Sequence, residues 1–187
     1  NPKPIGAQVG LGVKVSAVST EFEQGELTAS TGDFDFAIQG NGFFMIEMPD
    51  GTTGYTRNGN FLMAINPNGG TTLTTADGYS VLDSNGKAIT FDAATDTTRL
   101  SFDNYGNIFY KNAQGVIQPT GVRIGAAQFN NPSGLTKLGD SYFAESAASG
   151  NARIEGQDAA LSVSVIKNGY LEASSVQAVD EMVAVTT

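Results

Sequence analysis

The chain has 187 residues, 40% of them apolar, and it contains neither cysteine nor histidine. That length allows one compact unit or two small ones, because a folded chain of this size removes about 70% of its unfolded surface from water. Disulfides and thiolate chemistry are excluded, and so are the usual general base and the commonest metal ligand. We therefore predict a protein without catalytic residues, metal or cofactor.

The net charge of −9 argues against two classes of partner. It repels phosphate backbones and anionic lipid, and the ten Lys and Arg residues are scattered instead of forming a basic stripe. The longest apolar runs, such as residues 43–46, are far shorter than the roughly 20 residues of a membrane helix. We predict no nucleic-acid binding, no membrane insertion and no small-molecule substrate.

The two ends of the sequence look like cuts in a longer protein. Asn1-Pro2-Lys3-Pro4 contains no initiating methionine and precedes glycines and polar residues instead of the apolar core of a signal peptide. The sequence stops at Thr187 inside an amphipathic pattern, without a Gly or Pro stop signal. We expect artificial ends and no cleaved signal peptide.

The first predicted element is an extended arm. Apolar side chains occupy every second position there, which is the period of a strand. The residues that show this alternation are Val9, Leu11, Val13 and Val15.

Short strands separated by tight turns follow the arm. Asp-Gly and Asn-Gly pairs supply the positive φ angles of hairpin turns, and the runs between them are rich in Val, Ile, Phe, Tyr and Thr. Their spacing is typical of a β-meander. The pairs are Asp50-Gly51, Asn58-Gly59, Asn68-Gly69, Asp77-Gly78 and Asn85-Gly86. The predicted strands span residues 42–48, 54–57, 60–65, 71–75, 80–82, 88–91, 101–102, 108–110 and 122–129.

The pattern changes towards the carboxyl end. Residues 147–158 are rich in Gly, Ala, Ser and Asn and are predicted to link the meander to the last elements. From Ser174 the apolar residues step by three and four positions, as on one face of a helix, and Ser174 with Gln177 matches a capping box. The sequence therefore predicts a helix that begins near Ser174.

The apolar stripe of this helix has two interpretations. It can pack on its own domain, or it can pair with another helix at heptad-like spacing. The extended arm and the missing stop signal favour contact with partners. We predict a subunit interface formed by Val9, Leu11, Val13, Val176, Val179, Met182 and Val183.

The predicted fold class is mainly β. It is a meander or complex β domain with an extended N-terminal arm and the start of a C-terminal amphipathic helix. Residues 31–148 are assigned to an outer β domain. Residues 1–30 and 149–187 are assigned to an inner region that contains the arm, a strand and the start of the helix.

Acidic pairs are the best candidates for catalysis. Asp33 and Asp35 would share one face of a strand, and Asp92 and Asp96 lie in a Thr-rich stretch. Paired carboxylates can hydrolyse glycosides. Acidic pairs are common in a chain of this charge, however, so we favour turn or solvent-facing roles for them.

Three loop motifs resemble binding sites. The segments Asp83-Ser84-Asn85-Gly86 and Asp103-Asn104-Tyr105-Gly106-Asn107 look like the start of a calcium loop, but further ligands and flanking helices are missing. Gly40-Asn41-Gly42 lacks the Lys and the helix of a phosphate-binding loop. We predict hairpin turns at the first two and tight backbone geometry at the third.

Longer motifs in the chain resemble those of the flagellar rod and hook protein family. The central one is Asp35-Phe36-Ala37-Ile38-Gln39-Gly40-Asn41-Gly42-Phe43-Phe44. The others include Gly10-Leu11-Gly12-Val13, Tyr55-Thr56-Arg57-Asn58-Gly59-Asn60-Phe61, Ala76-Asp77-Gly78-Tyr79, Phe129-Asn130-Asn131-Pro132-Ser133-Gly134-Leu135 and Gly169-Tyr170-Leu171-Glu172-Ala173-Ser174. The resemblance covers nearly the whole chain, with residues 88–122 matched only loosely.

The resemblance implies a structural subunit of the flagellar basal body. Such subunits pass through the flagellar type III export apparatus without a cleaved signal peptide and stack helically into a hollow rod that spans the periplasm to the outer membrane. The implied partners are further copies of the chain, neighbouring rod and hook proteins, and the surrounding basal-body rings. Family members pair their terminal helices as a coiled coil, and without them we expect this chain to be a monomer in dilute solution.

Several alternatives remain at this stage. Within the family, the motif at residues 169–174 favours the distal rod over the proximal rod, and a hook protein usually carries an additional outer domain for which residues 27–169 leave no room. A rival from another class is a secreted glycan-binding or glycan-cleaving β domain. It would need exposed aromatic rings beside a carboxylate pair, and the absence of tryptophan weakens it.

Overall fold

The computed structural model describes residues 18–173 and 176–180, which form short β-strands joined by tight turns. The strands are β1 (Val18–Phe22), β2 (Leu27–Ala29), β3 (Phe36–Gln39), β4 (Phe43–Glu47), β5 (Thr53–Thr56), β6 (Phe61–Ile65), β7 (Thr71–Thr75), β8 (Thr90–Phe91), β9 (Leu100–Phe102), β10 (Asn107–Lys111), β11 (Ile117–Arg123), β12 (Ala126–Gln128), β13 (Thr136–Gly139), β14 (Tyr142–Ala144), β15 (Arg153–Ile154), β16 (Val165–Asn168), β17 (Tyr170–Glu172) and β18 (Val176–Asp180). Two 3₁₀ turns, Thr97–Arg99 and Pro132–Gly134, complete the described elements. The prediction of a mainly β fold is confirmed.

The described strands form antiparallel sheets. The largest has the strand order β13-β14-β5-β4-β12-β15. Two three-stranded sheets have the orders β6-β7-β8 and β9-β10-β11. The remaining strands form the two-stranded pairs β16-β3, β17-β2 and β18-β1.

Strand β4 lies at the centre of the packing because both of its faces are buried. Phe44 and Ile46 belong to the main core, whereas Phe43 and Met45 point into a second apolar cluster. Successive side chains of a strand point to opposite faces, so a continuous apolar run is what a strand covered on both sides requires. The main core also collects residues from the two small sheets and from β3 and β16, among them Phe36, Phe61, Leu73, Ile108 and Ile166.

The turn pattern predicts most of the meander correctly. The structure has strands at the predicted positions of β4 to β7, β9 and β10, with ends that differ by at most one residue. The predicted strand at residues 88–91 is shortened to β8, and the one at residues 80–82 is present only as isolated bridges. The predicted strand at residues 122–129 is divided into β11 and β12. The division falls at Gly125, whose backbone lies so close to the Asp83 carbonyl oxygen that a Cβ would come within 2.6 Å of it.

The predicted helix near Ser174 is wrong over Val176–Asp180, which form β18 and pair with β1. Val176 lies opposite Phe22, and Asp180 lies opposite Val18. A step of three between two valines fits one face of a helix, but valine, being β-branched, also favours strands. Here β1 supplies a hydrogen-bonding partner, and the segment forms a strand. Residues 181–187 lie outside the described residues.

No helix within residues 18–173 and 176–180 has the length and apolar character needed to cross a membrane.

Candidate assembly site

The predicted interface residues fall into two groups. Val176 and Val179 lie in β18, opposite Phe22 and Ser19 of β1. The other five lie outside the described residues: Val9, Leu11, Val13, Met182 and Val183. An interface formed by all seven therefore stays a prediction.

Both ends of the described chain form one two-stranded ribbon. The pairs β3-β16, β2-β17 and β1-β18 follow one another along the same two segments, and all are antiparallel. We call these three pairs the terminal ribbon. It starts in the main core, where Phe36, Ile38 and Ile166 are buried. The ribbon is therefore continuous with the body of the protein.

A turn at residues 30–35 interrupts one strand of the terminal ribbon. The buried carboxylate of Asp35 accepts hydrogen bonds from the Ser30 hydroxyl and from the Gly32 amide, the latter at 3.0 Å. The Asn168 side chain donates to the carbonyl oxygens of Asp33 and Asp35, both at 3.1 Å. Asp35, one half of the acidic pair considered for catalysis, thus uses its carboxylate to shape a turn.

A buried ion pair ties the terminal ribbon to the large sheet. Arg57 follows β5, and Glu172 ends β17. Arg57 Nη2 lies 2.9 Å from Glu172 Oε2, and the two side chains are 11% and 2% exposed. Arg57 Nε also donates to Glu172 Oε1 at 3.0 Å, so the contact is bidentate. This geometry fixes the carboxylate in the plane of the guanidinium.

Of the remaining hydrogen bonds of the guanidinium, one goes from Nη2 to Gln24 Oε1 at 3.2 Å and the others go to backbone carbonyl groups. Arg57 Nη1 donates to Gly40 O at 2.7 Å and to Gly42 O at 2.6 Å, and Nη2 donates to Ile38 O at 3.1 Å. The guanidinium carbon lies 5.9 Å from the centre of the Phe43 ring. Arg57 therefore holds the loop between β3 and β4 in place.

Gln24 connects the segment between β1 and β2 to the ion pair of Arg57 and Glu172. Its Nε2 and the Gly25 amide both donate to Glu172 Oε2 at 2.7 Å. Its Oε1 accepts from the Gly40 amide at 2.9 Å. We call Gln24, Arg57 and Glu172 the arginine clamp. The clamp joins both strands of the terminal ribbon to the body through hydrogen bonds, of which the charge-assisted ones between Arg57 and Glu172 are partly buried and those of the Gln24 side chain are exposed.

The loop at residues 40–42 has the tight backbone geometry that the sequence predicts. Gly40 has a φ angle of 135°, a conformation that glycine adopts without steric cost. The Gly42 amide donates to Ser164 Oγ at 3.0 Å, and Ser164 Oγ donates to the buried Glu155 carboxylate at 2.7 Å. This second polar cluster positions the chain just before β16.

An aromatic contact holds β1 on the large sheet. The ring of Phe22 meets the rings of Phe43 and Phe143 edge-on, at centroid distances of 5.1 and 5.0 Å. Edge-to-face pairs of this kind stabilise by about 0.5–1.5 kcal/mol each beyond area burial. The terminal ribbon is therefore attached at two points, by Phe22 and by the arginine clamp.

The two acidic loops considered for calcium are hairpin turns, as predicted. Asp83 Oδ1 accepts from the Asn85 and Lys87 amides at 2.8 and 3.0 Å. Asp103 accepts from the Tyr105 and Asn107 amides, both at 2.9 Å. Partial burial raises the pKa of Asp103, but hydrogen bonds from Asn107 and Tyr105 outweigh it and lower that pKa below its usual value. Within the described residues, no cluster of three acidic side chains forms a metal site.

A groove of about 450 Å³ lies beside the turn at residues 30–35. The glycan hypothesis would place its ligand here, because the rings of Phe34 and Phe102 line the groove. Among the described residues that line it, Asp33 is the only acidic one. Since the Asp35 carboxylate is engaged in the turn, the groove does not hold the carboxylate pair that glycoside hydrolysis requires.

Comparison with known proteins assigns the family. Residues 37–110 match the family model described as the flagellar hook protein FlgE/F/G D1 domain. Along its full length the chain is 38% identical, over 188 residues, to the flagellar basal-body rod protein FlgG of Caulobacter vibrioides, of which the match covers 67%. The chain belongs to the flagellar basal-body rod protein family. The family resemblance predicted from the motifs is thereby confirmed.

Other family members show similar agreement. The FlgG protein of Bacillus subtilis is 39% identical over 175 residues, which cover 93% of this chain and 63% of that protein. The FlgG protein of Agrobacterium fabrum is 37% identical over 186 residues, which cover 98% of this chain and 66% of that protein. The chain thus spans slightly less than two thirds of the length of these two rod proteins.

Sequence reasoning missed the arginine clamp. Arg57 and Glu172 stand in motifs that carry the family resemblance, but nothing in those motifs shows that the two side chains meet. They are 115 positions apart in the chain.

Proposed function

We propose that this chain is part of a structural subunit of the flagellar distal rod, which assembles helically with further copies into a hollow drive shaft and catalyses no reaction. The observation that carries the proposal is the similarity to FlgG rod proteins over nearly the whole chain, at 37 to 39% identity for the three compared above. The subunit would transmit torque to the hook through its contacts with neighbouring subunits.

The arginine clamp supports this mechanical role. A torque-bearing subunit needs a stiff connection between its inner and outer parts. We propose residues 1–30 and 149–187 as the inner region and residues 31–148 as the outer domain. The clamp joins Arg57 of the latter to Glu172 of the former by two partly buried hydrogen bonds and to Gln24 of the former by an exposed one. Buried bidentate contacts restrict rotation more than exposed single contacts do.

The proposed partners follow from the same role. They are further copies of the chain, neighbouring rod and hook proteins, and the basal-body rings around the rod. The proposed location is the rod between the periplasm and the outer membrane, reached by type III export without a cleaved signal peptide. The seven predicted interface residues are proposed to contact other subunits.

Immunogold labelling of purified hook and basal-body complexes tests the proposal. An antibody raised against this chain should label the straight shaft near the outer ring, and complexes from cells that lack the gene are the control. Label on the curved external segment would assign the chain to the hook instead. Absence of label from both intact and partly disassembled complexes would overturn the proposed function.

A further inference from the structure

The chain contains five Asn-Gly pairs, and a pair of this kind can modify itself. The backbone nitrogen that follows an asparagine can attack the carbonyl carbon of the asparagine side chain. Glycine hinders this attack least, because it has no Cβ and its backbone rotates most freely. Since all the pairs have this chemistry in common, the structure around each pair decides which of them reacts. The pairs are Asn41-Gly42, Asn58-Gly59, Asn68-Gly69, Asn85-Gly86 and Asn168-Gly169.

The reaction needs only water. A bond forms between the glycine nitrogen and asparagine Cγ, and the bond between Cγ and Nδ2 breaks. The side-chain nitrogen leaves as ammonia, taking up the proton that the glycine amide loses. One water molecule then opens the cyclic imide at either of its two carbonyl groups, which leaves aspartate or isoaspartate. The side chain must therefore be able to turn towards the backbone, and the backbone beside it must be able to rotate.

Two of the pairs have a glycine that is buried and fixed. Gly42 is buried, and its amide donates to Ser164 Oγ at 3.0 Å. Gly59 is also buried, and its carbonyl oxygen accepts from the Phe36 amide at 3.0 Å. A buried backbone can rotate only after the structure around it opens. These two pairs are therefore protected by the body of the protein.

Two further pairs have an asparagine side chain that is already engaged. Asn68 Oδ1 accepts from the Gly70 amide at 3.0 Å. Asn168 Nδ2 donates to the carbonyl oxygens of Asp33 and Asp35, both at 3.1 Å. These hydrogen bonds must break before either side chain can turn towards the glycine that follows it, so the reaction is again limited by local opening.

The pair Asn85-Gly86 has neither kind of protection. Both residues are exposed, and a Cβ at Gly86 would have no atom within 4 Å. In the part of the chain that the structure describes, the hydrogen bond that Asn85 makes in its turn comes from its backbone amide, and its side chain makes none. The Gly86 amide donates to the Asp83 carbonyl oxygen at 2.9 Å, a contact on the surface of the protein, where opening costs least.

We propose that Asn85 is a site of spontaneous covalent modification, at which the folded protein converts an asparagine into aspartate and isoaspartate. The other four Asn-Gly pairs react much more slowly as long as the protein stays folded. This inference goes beyond the proposed function and does not depend on it.

The modification changes a turn that other parts of the chain contact. Either product adds a negative charge beside Asp83, whose Oδ1 accepts from the Asn85 and Lys87 amides. Isoaspartate also adds a methylene group to the main chain and so lengthens the turn. The Ser84 amide donates to the Arg123 carbonyl oxygen at 3.0 Å, so a longer turn disturbs its attachment to the end of β11.

Peptide mapping of the complete protein by mass spectrometry tests the site. The folded protein is incubated in mildly alkaline water enriched in heavy oxygen, which labels only the residues that deamidate during the incubation. The peptide with Asn85 should be labelled at least about ten times faster than the peptides with the other pairs, because those pairs wait for local opening. In urea, where the folded structure is lost, all five pairs should be labelled at similar rates.

Glutamine substitutions give a second readout, the release of ammonia from the folded protein. Asn85→Gln keeps an amide at the same exposed position but adds a methylene group, which disfavours closure of the ring. Ammonia release should therefore fall in this variant. Asn68→Gln is the matched control, because it removes a pair in another exposed turn and should leave ammonia release nearly unchanged.

The labelling rates decide the inference. A folded protein in which another Asn-Gly pair is labelled as fast as Asn85 overturns it. So does a folded protein in which Asn85 stays unlabelled while all five pairs react in urea. Neither result affects the proposed function, which the labelling of basal bodies tests separately.

Discussion

At the scale of single residues, Arg57 and Glu172 show how a buried charge is held. Removing an ion from water costs several kcal/mol, and the attraction of one partner does not always offset it. Here the guanidinium also donates to three backbone carbonyl groups, and the carboxylate also accepts from Gln24 and Gly25. The sequence could not predict this arrangement, because no local pattern connects residues 115 positions apart.

The substitution Arg57→Ala should lower the free energy of unfolding by about 3–5 kcal/mol, because it leaves the Glu172 carboxylate buried without a counterion. Urea denaturation of the chain measures the change. The control is Arg153→Ala, whose ion pair with Asp158 is also 2.9 Å long but has side chains 35% and 33% exposed. An exposed pair of this kind contributes about 0–1 kcal/mol. Equal losses in the two variants would contradict a special role for the clamp.

At the scale of strands, turn residues allow more of the fold to be predicted than apolar periodicity does. Asp-Gly and Asn-Gly turns are local, and the strands between them follow from neighbouring residues. The terminal ribbon depends instead on partners far apart in sequence, as the pairing of Val176 with Phe22 shows. Short segments with a step of three between valines do not distinguish helix from strand, so the sequence predicted a helix where β18 lies.

The substitution Phe22→Ala should loosen the outer pair of the terminal ribbon without unfolding the rest. It removes the edge-on contacts with Phe43 and Phe143, so we expect the amides of β1 and β18 to exchange about ten to a hundred times faster. The amides of β2 and β17 should keep their rates because the arginine clamp still holds them. Hydrogen exchange read by mass spectrometry separates the two regions.

The matched control for Phe22→Ala is Tyr105→Ala, which removes an exposed ring outside the ribbon and should alter neither region. Uniform acceleration across the whole chain in the Phe22 variant would show that β1 is part of the global folding unit.

At the scale of the whole molecule, stability should depend on alkaline pH. Burial, with a contribution from nearby Glu145, raises the pKa of Tyr55 from 10.0 to about 12. Burial also raises the pKa of Tyr142 to about 12, with Asp77 contributing in the same direction. A raised pKa means that folding favours the protonated phenol. The stabilisation is therefore complete below the unfolded value of about 10 and is lost as the pH rises towards about 12.

The free energy of unfolding should thus fall between pH 10 and pH 12, and it should fall less in the double variant Tyr55→Phe and Tyr142→Phe. Denaturant titrations at a series of pH values measure both slopes. Tyr105→Phe changes an exposed ring and serves as the control. Identical slopes for the wild type and the double variant would contradict the role of these two phenols.

The pairing of Val18 with Asp180 has a consequence for how this protein can vary. The antiparallel ribbon brings β1 and β18 side by side, so the chain between them starts and ends at this one pair of strands. The turns between the body strands can therefore be lengthened or shortened without altering the spacing of β1 and β18. A graft of a different β body should preserve that spacing only if it keeps Phe43, Phe143 and Arg57, because these residues hold the ribbon in place.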